Sequence, residues 1–117
     1  MGFTETTVAS VVHQILLALN FMHSKSIMHR DIKLENILCE DSVDLAPDDI
    51  QIKLTDFGFA TRYNPNKKEK LSLGSPLYMA PELCDKMPYD EKVDVWAVGV
   101  VAYMLICGKP PFVNKNL

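Results

Sequence analysis

The sequence predicts an α+β fold, mostly helical, with two long helices separated by short β-hairpins and polar loops. Three observations predict it. Apolar residues recur at three- and four-residue steps near the start. A short alternating run occupies 50–55. A thirteen-residue apolar run fills Val95 to Cys107, ahead of Gly108 and a proline pair.

The first helix is expected from Glu5 to about Lys25. Val8, Val11, Val12, Ile15, Leu16, Leu19 and Met22 make one apolar stripe. Thr4 stands as N-cap, Phe3 and Val8 occupy the two hydrophobic-staple positions, and Glu5 suits the positive end of the helix dipole. Short β signals follow at Ile27-Met28, Ile37-Leu38-Cys39 and Ile50 to Thr55. In the last, Ile50, Ile52 and Leu54 alternate with Gln51, Lys53 and Thr55, as a half-buried strand requires. Glu40 to Asp49 is an acidic turn. A calcium loop there fails, because neither Asp41 nor Asp44 as first ligand puts glycine sixth and glutamate twelfth. Lys67, Lys68 and Lys70 mark a solvated polar loop. The second long helix is expected from about Glu91 to Cys107, capped by Asp90 and stopped by Gly108 and Pro110-Pro111. It is apolar on nearly all sides, which predicts burial all round, yet 117 residues hold little to surround it.

Composition narrows the class. With 48% hydrophobic and 23% charged residues the chain is ordinary globular material, one domain or part of one. A net charge of −3 gives no basic stripe for nucleic acid. Cys39, Cys84 and Cys107 are odd in number and scattered, so reduced thiols and an intracellular setting are expected. His13, His23 and His29 have no Cys or His at metal-ligand spacing. The apolar run at 95–107 is too short to span a bilayer, and no transmembrane segment is expected. Met1-Gly2-Phe3-Thr4-Glu5-Thr6 fits a myristoylation pattern, although the same residues make a good helix start.

Chemistry concentrates in three motifs in fixed order: His29-Arg30-Asp31-Ile32-Lys33-Leu34-Glu35-Asn36, Asp56-Phe57-Gly58 and Ala80-Pro81-Glu82. The ordered set resembles the catalytic loop, metal-binding turn and activation segment of eukaryotic protein kinases. Phosphoryl transfer is mostly positioning and charge neutralisation, and each part has a candidate here. Asp31 is the candidate base: it orients the attacking hydroxyl and accepts its proton late; the alternative is a solvated loop aspartate. Asn36 and Asp56 offer hard oxygen donors for Mg2+, against readings as a turn residue and a strand-end cap. Lys33, two residues past Asp31, can neutralise γ-phosphate charge; alone it would be a surface lysine. Gly58 is expected to relax the backbone beside the metal ligand, and Phe57 to plug the site or simply to pack in the core.

The resemblance covers essentially the whole chain and points to the serine/threonine branch, because Lys33 follows the aspartate and Gly74-Ser75-Pro76-Leu77-Tyr78-Met79 leads into Ala80. Residues 90–96 with Cys107-Gly108-Lys109-Pro110-Pro111-Phe112 are most similar to calcium/calmodulin-dependent and calcium-dependent kinases. By that resemblance the fold is part of a kinase large lobe. Lys33, Glu35, Asn36 and Asp56 belong to the ATP and Mg2+ side, and Ser75 faces substrate while touching the aspartate and lysine. His29 and Arg30 brace the loop, Arg30 often by receiving a phosphate from the activation segment. Asp94 anchors the loop from below, and Glu82 awaits an arginine that lies later in the family's large lobe.

Departures limit what is expected. No phosphate-covering glycine loop, strand lysine or partner glutamate is present, and a kinase domain runs to roughly 250 residues. Leu34 replaces a usual proline, and Ser72 is one residue off the commonest phosphosite offset. The resemblance implies transfer of the ATP γ-phosphate to serine and threonine hydroxyls of protein substrates, as part of a larger kinase. The 117 residues alone are expected to turn over negligibly. The alternative is an inactive kinase-like fragment acting as a protein-binding module. Oligomeric state stays open.

Overall fold

The computed structural model describes residues 2–40, 46 and 49–113. The expected acidic turn therefore lies largely outside the described residues. In chain order the elements are α1 (Glu5–Ser24), β1 (Ile27–Met28), β2 (Ile37–Cys39), β3 (Ile52–Leu54), β4 (Thr61–Arg62), α2 (Pro81–Cys84) and α3 (Lys92–Cys107). Single 3-10 turns sit at Leu34–Asn36 and Pro76–Tyr78.

Helix α1 begins as its sequence dictates. The Thr4 hydroxyl accepts the Thr7 N–H at 3.2 Å, satisfying one of the donors a helix start leaves open. Phe3 and Val8 line one apolar cavity of about 270 Å³ with Val11, Leu34, Ile52 and Leu105. The Phe3 N–H also donates to the Leu105 carbonyl at 2.7 Å, tying the start of α1 to the end of α3. Helix α3 starts one residue later than expected. The N-cap falls on Glu91, which makes no side-chain capping bond, and Asp90 one residue before it accepts the Lys92 N–H on Oδ1 at 3.0 Å. Gly108, at φ 75°, closes it by donating to the Met104 carbonyl.

The core forms where α1 crosses α3. Ile15, Leu19 and Met22 meet Ala97, Val98, Val100 and Val101, with Ile32 and Tyr78 closing the cluster. A second cluster (Met28, Ala80, Leu83, Tyr89 and Val93) seats the activation segment on the start of α3. The expectation that α3 is buried on every side needs correction. Val95 is 49% exposed, Tyr103 41% and Ile106 44%, because α1 and the short elements pack on one side only.

The strands form two antiparallel pairs. β2 and β3 make the expected hairpin, with Ile37 opposite Leu54 and Cys39 opposite Ile52. The strand expected over Ile50 to Thr55 contracts to Ile52–Leu54. The Gln14 amide of α1 takes over at its entrance, donating to the Ile50 carbonyl and accepting from the Ile52 N–H. β1 pairs with β4, an element without a readable alternation, since two residues cannot show a period. Among the described residues no helix is long and apolar enough to cross a membrane.

Candidate active site

The loop between β1 and β2 carries residues 29–36, and it is held from beneath by one carboxylate. Asp94, in the first turn of α3, is 1% exposed. Its Oδ2 accepts the His29 backbone N–H at 2.9 Å and its Oδ1 the Arg30 N–H at 2.9 Å. His23 Nε2, in the last turn of α1, lies 2.9 Å from the same Oδ2. A buried carboxylate is costly unless donors surround it, and here three do. The same grip holds Arg30 at φ 69°, a left-handed conformation costing a bulky residue on the order of 1 kcal/mol.

His29 is fully buried and fixes the next residue. Its Nδ1 accepts the Asp31 N–H at 3.1 Å, so the proton sits on Nε2, which faces the Thr55 carbonyl at 3.1 Å. The ring thereby joins the catalytic loop to the end of β3. Phe57 is half exposed and packs its ring 5.1 Å from His29; it is not a core residue among the described residues.

Asp31, 9% exposed, is surrounded by three of the predicted residues. The Ser75 hydroxyl donates to its Oδ1 at 2.9 Å, and Lys33 Nζ donates to that same hydroxyl at 3.0 Å. Lys33 Nζ also stands 3.8 Å from Asp31 Oδ2. Asn36 donates its side-chain amide to the Asp31 carbonyl at 2.8 Å and approaches Oδ2 at 3.3 Å. With the amide nitrogen so engaged, the Asn36 Oδ1 is left as an acceptor.

Asp56 is brought beside Asn36 through its neighbour. Both the backbone N–H and the hydroxyl of Thr55 donate to the Asn36 carbonyl, at 2.8 and 3.2 Å. Asp56 itself takes φ 55°, and its Oδ1 accepts the Gly58 N–H at 3.2 Å. This corrects the role expected of Gly58. The left-handed residue of the turn is the aspartate, a type that tolerates it. A Cβ at 58 would stand 3.1 Å from Asp56 Oδ1, a tight approach that the carboxylate would have to relieve by a few tenths of an ångström.

The donor types suit magnesium. An amide oxygen and a carboxylate are hard ligands, and the ion keeps other positions for phosphate oxygens and water. Among the described residues no group of three or more His, Cys, Asp and Glu side chains could hold a metal ion, so the candidates here are the amide of Asn36 and the carboxylate of Asp56. The Tyr78 hydroxyl donates to Glu35 Oε1 at 3.4 Å. Burial pushes the Tyr78 phenol above its usual pKa, opposed by the Leu34 N–H and reinforced by Glu35. Glu82 lies in the single turn of α2, away from this cluster. Ser72 donates its hydroxyl to the Leu83 carbonyl at 3.0 Å.

Two residues that brace the site escaped the sequence reading. For His23 the signal in the sequence is its place one helical turn past the buried Leu19. Tyr89 gave no signal of its own.

A buried aspartate bridged by a serine to a lysine, with an asparagine bonded to it and an Asp-Phe-Gly turn nearby in the fold, matches the arrangement expected from the sequence resemblance. Comparison with known proteins agrees: the protein kinase domain family model matches residues 1–117, and the chain belongs to that family. It is 46% identical over 115 residues to calcium-dependent protein kinase 5 of Plasmodium berghei, covering 98% of this chain and 20% of that protein. It is 40% identical over 111 residues to a probable myosin light chain kinase of Dictyostelium discoideum, covering 95% and 31%. It is 45% identical over 121 residues to the serine/threonine-protein kinase ATG1 of Mycosarcoma maydis, covering 98% and 12%. The chain thus spans about a fifth of the length of the first of these relatives.

Proposed function

We propose that this chain is the catalytic-loop and activation-segment part of a serine/threonine protein kinase, transferring the γ-phosphate of ATP to hydroxyls of protein substrates inside the cell. The observation that carries the reading is the Asp31–Ser75–Lys33 bridge, which places a carboxylate and a cation around one hydroxyl. A substrate hydroxyl entering there would meet Asp31, which orients it and takes its proton as the oxygen bonds to the γ-phosphorus. The bond between that phosphorus and the β–γ bridging oxygen breaks, and ADP leaves with the electron pair. Lys33 stands where charge builds on the moving group. Magnesium, held by Asn36 Oδ1 and Asp56, would neutralise phosphate charge and orient the nucleotide.

The test is a phosphate-transfer assay on the protein expressed with its upstream coding region. Asp31→Asn keeps the shape and removes the base, and the rate is expected to drop about 10²- to 10⁴-fold. An unchanged rate would remove the role assigned to Asp31.

One observation favours a second reading, a protein-binding module. Leu17 and Phe21 of α1 and Val95, Tyr103 and Ile106 of α3 leave large apolar side chains exposed. A purified chain that stays monomeric and captures no kinase or kinase substrate would exclude it.

A further inference from the structure

Tyr89 lies outside the three motifs, yet it is bonded both to Arg30 and to residues 69 and 71. It is 2% exposed. Its hydroxyl accepts a hydrogen bond from Arg30 Nη1 at 3.1 Å and donates one to the Leu71 carbonyl at 2.6 Å. Its backbone exchanges two hydrogen bonds with Glu69, each 2.9 Å. Arg30 completes the arrangement by donating Nε–H to the Phe59 carbonyl at 2.7 Å. One phenol thus joins the catalytic loop at 30, the activation segment at 69–71 and the entrance to α3. Arg30 is adjacent to Asp31 and sits at φ 69°, so its hold on the backbone bears directly on where the aspartate points.

We infer that Tyr89 is a positioning residue for the transfer reaction, resting on the kinase reading above: its hydroxyl latches Arg30 to the activation segment with neutral hydrogen bonds. The alignment of Asp31 and Ser75 then needs no phosphate on that segment. Arg30 directs its Nε–H to the Phe59 carbonyl and one Nη1 hydrogen to the phenol, both uncharged acceptors, and Leu71 offers no hydroxyl to modify. A phenol suits this work because it donates and accepts at one atom while its ring packs in the cluster of Met28, Ala80, Leu83 and Val93.

Tyr89→Phe keeps the ring and removes only the hydroxyl. Residue-resolved hydrogen exchange on the chain should show the Arg30, Asp31 and Glu69 amides opening about tenfold faster, the loss of about one hydrogen bond. Ile15, Leu19 and Val101 should stay within about twofold. Arg30→Lys should give the same regional pattern, since an ammonium cannot serve both acceptors in fork geometry. Acceleration at every amide alike means a general stabiliser, and no acceleration at the three means no latch; either result overturns the inference. In the protein carrying its upstream region, Tyr89→Phe should lower kcat about tenfold with the KM for ATP within about twofold, and phosphatase treatment should leave the wild-type rate unchanged. An unchanged kcat, or a rate abolished by phosphatase, contradicts the positioning role. A wild type without activity, beside an intact exchange pattern, would sink the kinase reading while leaving the latch established.

Discussion

Two residues on one turn of α3 show how unevenly this molecule is finished. Asp94 is buried at 1% exposure and receives three donors from two other segments; Trp96, two positions on, is 37% exposed and stacks on Phe112 with ring centroids 5.9 Å apart. The side of α3 that faces the catalytic loop is satisfied by this chain's own atoms. The opposite side presents apolar area that nothing among the described residues covers. The order of the site and the cover of the helix are therefore separate problems in this protein. The first is solved within the chain, by polar cross-links between its segments, and the second is left open among the described residues.

Substitutions at the two kinds of position should separate sharply. Asp94→Ala strands the His29 and Arg30 amides in a buried setting, and we expect a loss of about 3–5 kcal/mol in denaturant unfolding, with the catalytic loop released. Trp96→Gln at the open side should cost about 1 kcal/mol or less. Equal losses would collapse the contrast.

The same comparison runs along α1. Ile15 is fully buried between the helices, whereas Leu17, two residues on, is 56% exposed. Ile15→Ala should cost about 2–5 kcal/mol and Leu17→Ala under about 1 kcal/mol, both read from the shift of the unfolding midpoint. A costly Leu17→Ala would indicate that the bare face is covered in solution.

The smallest effect concerns Tyr78. Its phenol is raised in the folded state, chiefly by burial, so the neutral form is favoured on folding. The stability this contributes is complete below the ordinary phenol pKa of about 10 and is lost as pH climbs through the raised folded value. Unfolding midpoints followed from pH 9 upward should fall in the wild type, and fall less in Tyr78→Phe. Parallel curves for the two would contradict this account.

Much of this was legible in the sequence because the signals are local. The apolar steps from Val8 to Met22, the cap at Thr4 and the stop at Gly108 each act within a turn or two, and α1 and α3 appear where those residues put them. The motif residues 29–36 and 56–58 announced a site by their types and order. What stayed illegible depends on contacts distant in sequence. His23 reaches Asp94 across 71 positions, Tyr89 reaches Arg30 across 59, and β4 exists because β1 pairs with it. The complete burial expected of α3 failed for a related reason: hydropathy states what a helix needs, and packing decides what it receives.

The proposed function requires that Asn36 and Asp56, linked through Thr55, offer their oxygens to one cation beside Asp31. Manganese(II), a paramagnetic stand-in for magnesium, would report this by titration against the protein's amide NMR spectrum. The account predicts that resonances of Asn36, Asp56 and their immediate neighbours broaden first, and that Asp56→Ala removes the effect. Broadening centred on Glu69, Asp90 or another surface carboxylate, with residues 36 and 56 untouched, would contradict it.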